Sequence, residues 1–135
     1  VQTPEYMQGR SFGSALRGEP CPADWRSATY YRYWMHMAHN LRVPAHFGIR
    51  TERYKLIFFY GCTPTGEAKT PAAWELYDLN KDSSEMHNQY ANPEYAEIVA
   101  GLKQELWETR AALNESDRNY PAVQAIIAAH GGDDQ

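Results

Sequence analysis

The side chains best suited to chemistry in this sequence are basic and lie close together. Three of the five histidines, His36, His39 and His46, fall within eleven residues, and Arg50 follows shortly after them. A histidine can pair with an anion near neutral pH, and the planar guanidinium of arginine matches sulfate, phosphate or carboxylate. We therefore predict that these four residues bind an anionic ligand.

Other interpretations of the same residues remain open. Zinc is bound by clustered His and Cys side chains, yet residues 26–50 contain no Cys, Asp or Glu that would complete a ligand set. Each histidine can also be an ordinary loop residue with its hydrogen bonds satisfied. Arg32, Arg42, Arg53 and Lys55 lie nearby, and we expect most of them to be surface charges.

Neither a catalytic residue nor a metal ligand is predicted in this chain. No nucleophile stands beside a recognisable base and orienting group, and no glycine-rich phosphate loop occurs. Asp and Glu are sparse in the basic half, so a site for a hard cation lacks local ligands there.

The candidate residues are carried by a predicted β-hairpin over residues 46–60. Phe47 and Ile49 alternate with His46 and Arg50, and the same period-two pattern resumes after a short turn. This alternation is typical of half-buried strands. If Phe47 and Ile49 face the core, His46 and Arg50 share the opposite face, about 13 Å apart at ~3.3 Å per residue.

Two more strands and a helix complete the prediction. Residues 29–34 and 73–79 are strand-like, and Asn92 followed by Pro93 is a helix start. Apolar side chains then recur on one helix face, at Tyr95, Ile98, Val99, Leu102, Leu106 and Leu113. We predict an α+β fold, a four-stranded antiparallel sheet with a long C-terminal helix packed on one face.

Composition limits the classes of function. The 135 residues suffice for one domain, and the net charge of -4 argues against nucleic-acid binding. No apolar run approaches the ~20 residues that span a membrane. Residues 1–60 are net basic and residues 61–135 net acidic, which indicates either solvated acidic helix faces or a sheet that meets an anion. Cys21 and Cys62 form no disulfide framework, and the sequence leaves their pairing open.

Several motifs resemble, in the expected order, the C-terminal part of a sulfatase. They are the segments at residues 7–12, 30–33, 48–57 and 74–79, with Lys81-Asp82 and Glu85-Met86. The resemblance covers about residues 5–113 and is closest to bacterial arylsulfatases and glycosaminoglycan sulfatases. It implies a C-terminal subdomain over residues 1–113. It does not cover residues 114–135, where the sequence itself predicts an extension with a short helix around residues 122–129.

The resemblance also implies where the reaction takes place. Sulfatases use a formylglycine, made within a Cys/Ser-x-Pro-x-Arg motif, beside a calcium ion, and both belong to a large N-terminal catalytic domain. Cys62 and Pro64 imitate that motif, but Gly66 stands where the arginine should be. We therefore expect this chain alone to be inactive, although the full enzyme would hydrolyse a sulfate ester.

The same resemblance predicts partners and location. The subdomain would pack against its catalytic domain and lend His36, His39 and His46 to the rim of a pocket for a sulfated carbohydrate. Without that domain, exposed apolar surface should cause self-association, and the full enzyme should be periplasmic or secreted. The alternatives are a free-standing interaction or sugar-binding module and a zinc site at the three histidines.

Overall fold

The computed structural model describes residues 4, 7, 9–20 and 22–132 and contains a four-stranded sheet. The strands are Ala28–Tyr33 (β1), His46–Thr51 (β2), Tyr54–Phe59 (β3) and Ala73–Asp78 (β4), and each pairs antiparallel with the next. The helices are Gly13–Leu16 (α1), Ala96–Ala112 (α2) and Pro121–His130 (α3). The predicted α+β architecture is confirmed.

The strand register divides the sheet into two faces of different character. On the inner face, which packs against α2, Phe47 pairs with Phe58, and Phe58 pairs with Trp74. All three side chains are buried in one hydrophobic cluster. The outer face carries the alternate residues, which are Thr29, Tyr31, Tyr33, His46, Gly48, Arg50, Lys55, Ile57, Phe59, Ala73, Glu75 and Tyr77.

The long helix begins where the sequence predicts. The Asn92 side-chain oxygen accepts a hydrogen bond from the Glu94 backbone N–H at 3.1 Å, and a 3-10 turn at Pro93–Tyr95 leads into α2. Leu102 and Leu106 are buried against the sheet. Burial of each such side chain stabilises the packing by about 1.5–3 kcal/mol.

The residues after α2 return to the sheet. Val123 of α3 is fully buried, and the Tyr120 ring lies 4.9 Å from that of Trp34. The Trp74 indole N–H donates to the carbonyl of His130 at 2.9 Å. The short helix predicted for residues 114–135 is therefore present, while the domain division at residue 113 stays a prediction.

The structure bears on the two cysteines and on membrane-spanning helices. Cys62 is buried, and burial raises the pKa of its thiol, but Cys21 lies outside the described residues. Their pairing therefore stays open. None of the helices in the described ranges is both long and apolar enough to cross a membrane.

Candidate functional site

The three candidate histidines come from one end of the sheet. Residues 34–45, here named the site loop, connect β1 to β2 and carry His36 and His39. His46 is the first residue of β2 and pairs with Tyr33 on one side and Phe59 on the other. The antiparallel connection between neighbouring strands thus places the loop directly beside His46.

The backbone of the site loop is unusual for residues other than glycine. Met37, His39 and Asn40 have φ values of 53°, 55° and 60°, in the left-handed region. Asparagine and histidine are enriched in that region relative to most residues, whereas methionine is not. A backbone hydrogen bond of 2.9 Å from the Met37 N–H to the Val43 carbonyl closes the loop.

His36 lies inside the loop rather than on its surface. Its residue surface is 8% exposed, and its Nδ1 accepts a hydrogen bond from the Ala45 backbone N–H at 3.2 Å. A neutral imidazole that accepts at Nδ1 carries its proton at Nε2. That Nε2 is shielded from solvent and has no hydrogen-bond partner among the described residues.

His46 is half-buried on the outer face, within a group of aromatic rings. Its Nδ1 lies 2.8 Å from the Pro44 carbonyl oxygen, which can only accept, so Nδ1 is the donor. Ring centroids of Tyr31, Tyr33 and Phe59 lie 6.0, 5.4 and 5.0 Å from the imidazole. In the neutral ring Nε2 is left as the acceptor, and protonation would make it a second donor toward an anion.

His39 and Arg50 are both exposed but lie at different ends of the sheet. His39 belongs to the site loop, whereas Arg50 pairs in register with Thr29 and Lys55, beside the β2–β3 turn. Arg50 borders an open groove of about 580 Å³ that Trp25 also lines. The structure therefore brings the three histidines to one end and leaves Arg50 apart, although His46 and Arg50 share the outer face as predicted.

A metal site requires several side chains that could bind the ion together. Across residues 4, 7, 9–20 and 22–132, no group of three or more His, Cys, Asp or Glu side chains is arranged to hold one. His36, His39 and His46 do not form such a group there.

One ionic cluster was not anticipated from the sequence. Arg32 belongs to a group of basic residues of which most were expected to be surface charges, but its side chain is only 4% exposed and lies on the inner face. Its Nη1 lies 2.7 Å from both Glu115 Oε2 and Asp117 Oδ1, and Arg110 Nη2 lies 2.7 Å from Asp117 Oδ2. The available signal was strand alternation, which puts Arg32 on the same face as Tyr30 and Phe47.

The cluster is enclosed by aromatic rings. The Arg32 guanidinium carbon lies 3.4 Å from the centroid of the Trp34 ring, and the Arg110 guanidinium carbon lies 3.9 Å from that of Phe47. Cation–π contacts of this kind partly replace the lost hydration. These charges hold the chain after α2 against the sheet, and we assign them a structural role.

The fold and the loop together define an α+β subdomain with a basic, partly apolar connection at one end of its sheet. The family of N-sulphoglucosamine sulphohydrolase C-terminal domains matches residues 1–112. The chain belongs to this family, and the resemblance to the C-terminal part of sulfatases is confirmed.

Individual relatives are consistent with that family. The chain is 38% identical over 118 residues to an N-acetylglucosamine-6-O-sulfatase of Bacteroides thetaiotaomicron, covering 87% of this chain and 20% of the relative. A structure solved with its substrate D-glucosamine-2-N,6-O-disulfate is also 38% identical, with a TM-score of 0.75, over 88% of this chain and 22% of the other. The chain therefore spans about a fifth of these relatives.

A relative with different chemistry shares the same subdomain. The phosphonate monoester hydrolase of Agrobacterium radiobacter is 26% identical, with a TM-score of 0.58, over 78% of this chain and 21% of the other. The architecture thus occurs with sulfate esters and with phosphonate esters, so the fold by itself does not select between them.

Proposed function

We propose that this chain is the C-terminal subdomain of a sulfatase that hydrolyses a sulfate ester on a carbohydrate, with an amino sugar as the favoured class. The family match over residues 1–112 carries this proposal. The 38% identity to an N-acetylglucosamine-6-O-sulfatase supports the choice of sugar.

The reacting groups would lie in an N-terminal catalytic domain of the same polypeptide. Formylglycine would supply the nucleophile there and calcium would bind the sulfate. The described residues offer no arranged set of ligands for a metal ion. The role proposed for this chain is therefore to bind and orient the substrate and to complete the pocket wall.

His39 and His46 would face the substrate at the rim. His39 is exposed on the site loop, and His46 has a partly exposed ring whose Nε2 is not used by the Pro44 contact. Protonated imidazoles at this rim would attract a sulfate anion. His36 was predicted with them, but its burial favours a contact with protein, and a ligand would have to span about 13 Å to reach Arg50 as well as His46.

The decisive experiment uses the polypeptide encoded in the same reading frame, including everything upstream of this chain. Supplied with calcium, it should release sulfate from 6-O-sulfated N-acetylglucosamine, whereas the 135-residue chain alone should release none. H39A and H46A should each raise KM about tenfold with little change in kcat, because the contacts are proposed to bind substrate and transition state alike. Turnover by the isolated chain would refute the assignment.

A phosphonate monoester hydrolase is a second candidate. The 26% identity and TM-score of 0.58 to such an enzyme support it. The same preparation should be assayed with a phosphonate monoester at equal concentration. Preference for that ester would replace the sulfatase proposal with this one.

A free-standing interaction or sugar-binding module remains the alternative from a different class. The upstream coding sequence discriminates between the two, because the sulfatase proposal requires a Cys/Ser-x-Pro-x-Arg motif there. A sulfatase of this kind would work in the periplasm or outside the cell, and detection of the protein in a periplasmic or secreted fraction would test that location.

We also propose that the isolated chain self-associates through its exposed apolar side chains. The site loop alone exposes Met35, Met37, Leu41 and Val43. Because contiguous apolar surface tends to associate, we expect the sedimentation coefficient of the isolated chain to rise with concentration. A single monomeric species at the highest soluble concentration would contradict this.

A further inference from the structure

An open groove lies at the end of the sheet opposite to the site loop, between the segment that enters β1 and the β2–β3 turn. Its volume is about 580 Å³, which is within the range of small-molecule binding sites. We name it the turn groove. The side chains that matter here are those of Trp25, Arg26, Ser27, Thr29, Arg50 and Glu52.

Arg50 enters the turn groove without a countercharge. It is exposed on the outer face and pairs in register with Lys55, and like charges directly opposite each other repel. The Lys55 amine is balanced by Glu85 Oε2 at 2.5 Å, whereas no carboxylate of the described residues forms an ion pair with Arg50. An anion bound at Arg50 would therefore offset a repulsion that the chain itself leaves in place.

Arg26 is held by an aromatic ring and not by a carboxylate. Its guanidinium carbon lies 5.8 Å from the centroid of the Trp25 ring, and a cation–π contact leaves the N–H donors of the guanidinium available to a ligand. The Trp25 N–H donates to the Pro22 carbonyl at 2.9 Å, and Arg10 donates to the Asp24 carbonyl and carboxylate at 2.5 and 2.6 Å. These contacts fix the wall that carries Arg26.

The neighbouring groove has a different charge. Arg26 also borders a groove of about 710 Å³ on the side of α2, but Glu105 and Glu115 line that groove, and Arg10 within it is already paired with Asp24. The turn groove has one acidic residue among its described lining residues, against two guanidiniums that form no ion pair there. Its local charge is therefore positive, and it is the groove that favours an anion.

We propose that the turn groove binds a sulfated oligosaccharide, at a site separate from the rim formed by His39 and His46. Arg26 and Arg50 would each bind one sulfate group, because the planar guanidinium matches such an oxyanion. The exposed hydroxyl groups of Ser27 and Thr29, which form no hydrogen bond within the described chain, would bind hydroxyl groups of the sugar.

The choice of a carbohydrate rests on the proposed function, whereas the preference for an anion follows from the groove alone. The net charge of -4 argues against a nucleic acid as the ligand.

Calorimetric titration of the 135-residue chain with a heparin tetrasaccharide, which carries sulfate groups on its sugar rings, tests the site. R26Q and R50Q should each raise Kd about fivefold, which corresponds to one exposed charge pair. E52Q removes the carboxylate of the groove and should lower Kd about twofold. R118Q is the matched control, because Arg118 is exposed and lies outside the turn groove, and it should leave Kd within about twofold.

The gain expected for E52Q cannot arise from a loss of folding, so it keeps the test decisive if an arginine variant is unstable. Equal Kd values for R26Q, R50Q and R118Q would overturn the site, and so would an absence of binding. Bound tetrasaccharide should also slow amide hydrogen exchange at residues 25–29 and 50–52. Slowing confined to residues 34–46 would place the ligand at the site loop and overturn the proposal.

Two further ligands test the chemical class. The same tetrasaccharide after chemical removal of its sulfate groups should bind at least tenfold more weakly, because both guanidiniums lose their partner. A single-stranded oligonucleotide of equal charge should likewise bind more weakly than the sulfated tetrasaccharide. Equal affinity for the oligonucleotide, or for the desulfated sugar, would overturn the assignment to a sulfated carbohydrate.

Failure of this inference can be told apart from failure of the proposed function, because binding by the isolated chain requires no hydrolysis. Tetrasaccharide binding that R50Q weakens, with no sulfate release by the uninterrupted polypeptide, would keep the turn groove as a site and remove the sulfatase. Sulfate release by that polypeptide, with no tetrasaccharide binding by the isolated chain, would remove the site and leave the sulfatase.

Discussion

At the scale of single residues, Asp117 is a buried carboxylate that contacts two arginines. It lies between two buried guanidiniums, with Oδ1 2.7 Å from Arg32 and Oδ2 2.7 Å from Arg110. Its own φ of 52° is left-handed, a region that aspartate and asparagine tolerate better than most residues. Removing the charge would leave two buried cations with only Glu115 to compensate them.

We expect D117N to destabilise the chain by about 3 kcal/mol, because breaking a buried charge network leaves uncompensated charge in the interior. Asparagine keeps the size and the left-handed preference, so the change isolates the charge. Urea unfolding followed by tryptophan fluorescence measures the effect. N114D is the control, since Asn114 is exposed with a φ of 57°, and it should alter stability by less than about 0.5 kcal/mol. Similar losses in both variants would show that the buried charges have no special role.

Asp78 predicts a pH dependence of stability. Hydrogen bonds from Arg53 at 3.0 and 2.8 Å, and one from Tyr95, lower the pKa of its carboxyl to about 2. The unfolded value is about 3.9. The contribution of the ionised carboxylate is therefore complete above about pH 4 and disappears as the pH falls toward 2.

The variant D78N lacks this titration. It should be less stable than the unmodified chain by about 1–2 kcal/mol near neutral pH, because Arg53 is partly exposed and its charge is screened. The difference should shrink steadily between about pH 4 and pH 2. Urea unfolding at several pH values measures it, and a difference that stays constant down to pH 2 would contradict the assignment.

At the scale of elements, regular segments were predictable and irregular ones were not. The alternation around Phe47 and Ile49 gave the hairpin, and Asn92-Pro93 gave the start of the long helix, because both signals are local. The burial of Arg32 depends on Glu115, 83 residues away, and no local pattern records that separation. The left-handed residues of the site loop were missed for a related reason, since a positive φ at Met37 has no signature in residue type.

The same reasoning applies to the candidate site. The connection into β2 carries His36 and His39, and His46 begins that strand, so the structure places all three at one end of the sheet. The sequence grouped Arg50 with them, and it did not distinguish a buried imidazole from an exposed one. The Ala45 N–H donates to Nδ1 of His36, and this contact fixes which ring nitrogen accepts a hydrogen bond. Only the folded loop brings that backbone group beside the ring.

The surroundings of Gly48 in β2 and of Gly101 in α2 lead us to predict opposite effects on stability for the same substitution. A Cβ at Gly48 would lie 2.5 Å from the Leu56 carbonyl oxygen and 2.6 Å from the Tyr31 hydroxyl, whereas one at Gly101 would meet nothing within 4 Å. G48A should therefore destabilise by about 2–3 kcal/mol through overpacking. G101A, on the exposed side of α2, should stabilise by about 0.5–1 kcal/mol through helix propensity.

Thermal or urea unfolding of the two variants provides the comparison. The substitution is chemically identical, so a difference in sign can only come from the surroundings of the two residues. If G48A were as stable as the unmodified chain, β1 and β3 would have to approach β2 less closely than the structure shows.

At the scale of the whole molecule, the charge asymmetry has an internal explanation. Within the described residues, the basic first half and the acidic second half meet in four ion pairs, which are Arg32 with Glu115, Arg32 with Asp117, Arg53 with Asp78, and Lys55 with Glu85. Much of the basic charge near the sheet therefore has a partner in the chain itself. Anion binding at the site loop is therefore proposed to depend on the exposed His39 and the half-buried His46.

The contacts of residues 114–132 predict that the chain cannot be shortened to residue 113 without loss of the fold. Ending it there would remove Asp117 from two buried arginines, Val123 from the core and the His130 carbonyl from the Trp74 indole. The charge term alone amounts to about 3–5 kcal/mol, and loss of the buried Val123 side chain adds about 1.5 kcal/mol. Because small domains are stable by only about 5–15 kcal/mol, residues 1–113 should show no cooperative melting by circular dichroism.

A chain ended at residue 132 is the matched control, since it keeps every one of those contacts, and it should melt as the unmodified chain does. Cooperative melting of residues 1–113 near the original temperature would instead make residues 114–135 an appendage and establish the predicted division as a domain boundary. The experiment therefore distinguishes two possibilities. Either the subdomain ends with α2, or it needs residues 114–132 because Asp117 balances the buried charges of Arg32 and Arg110.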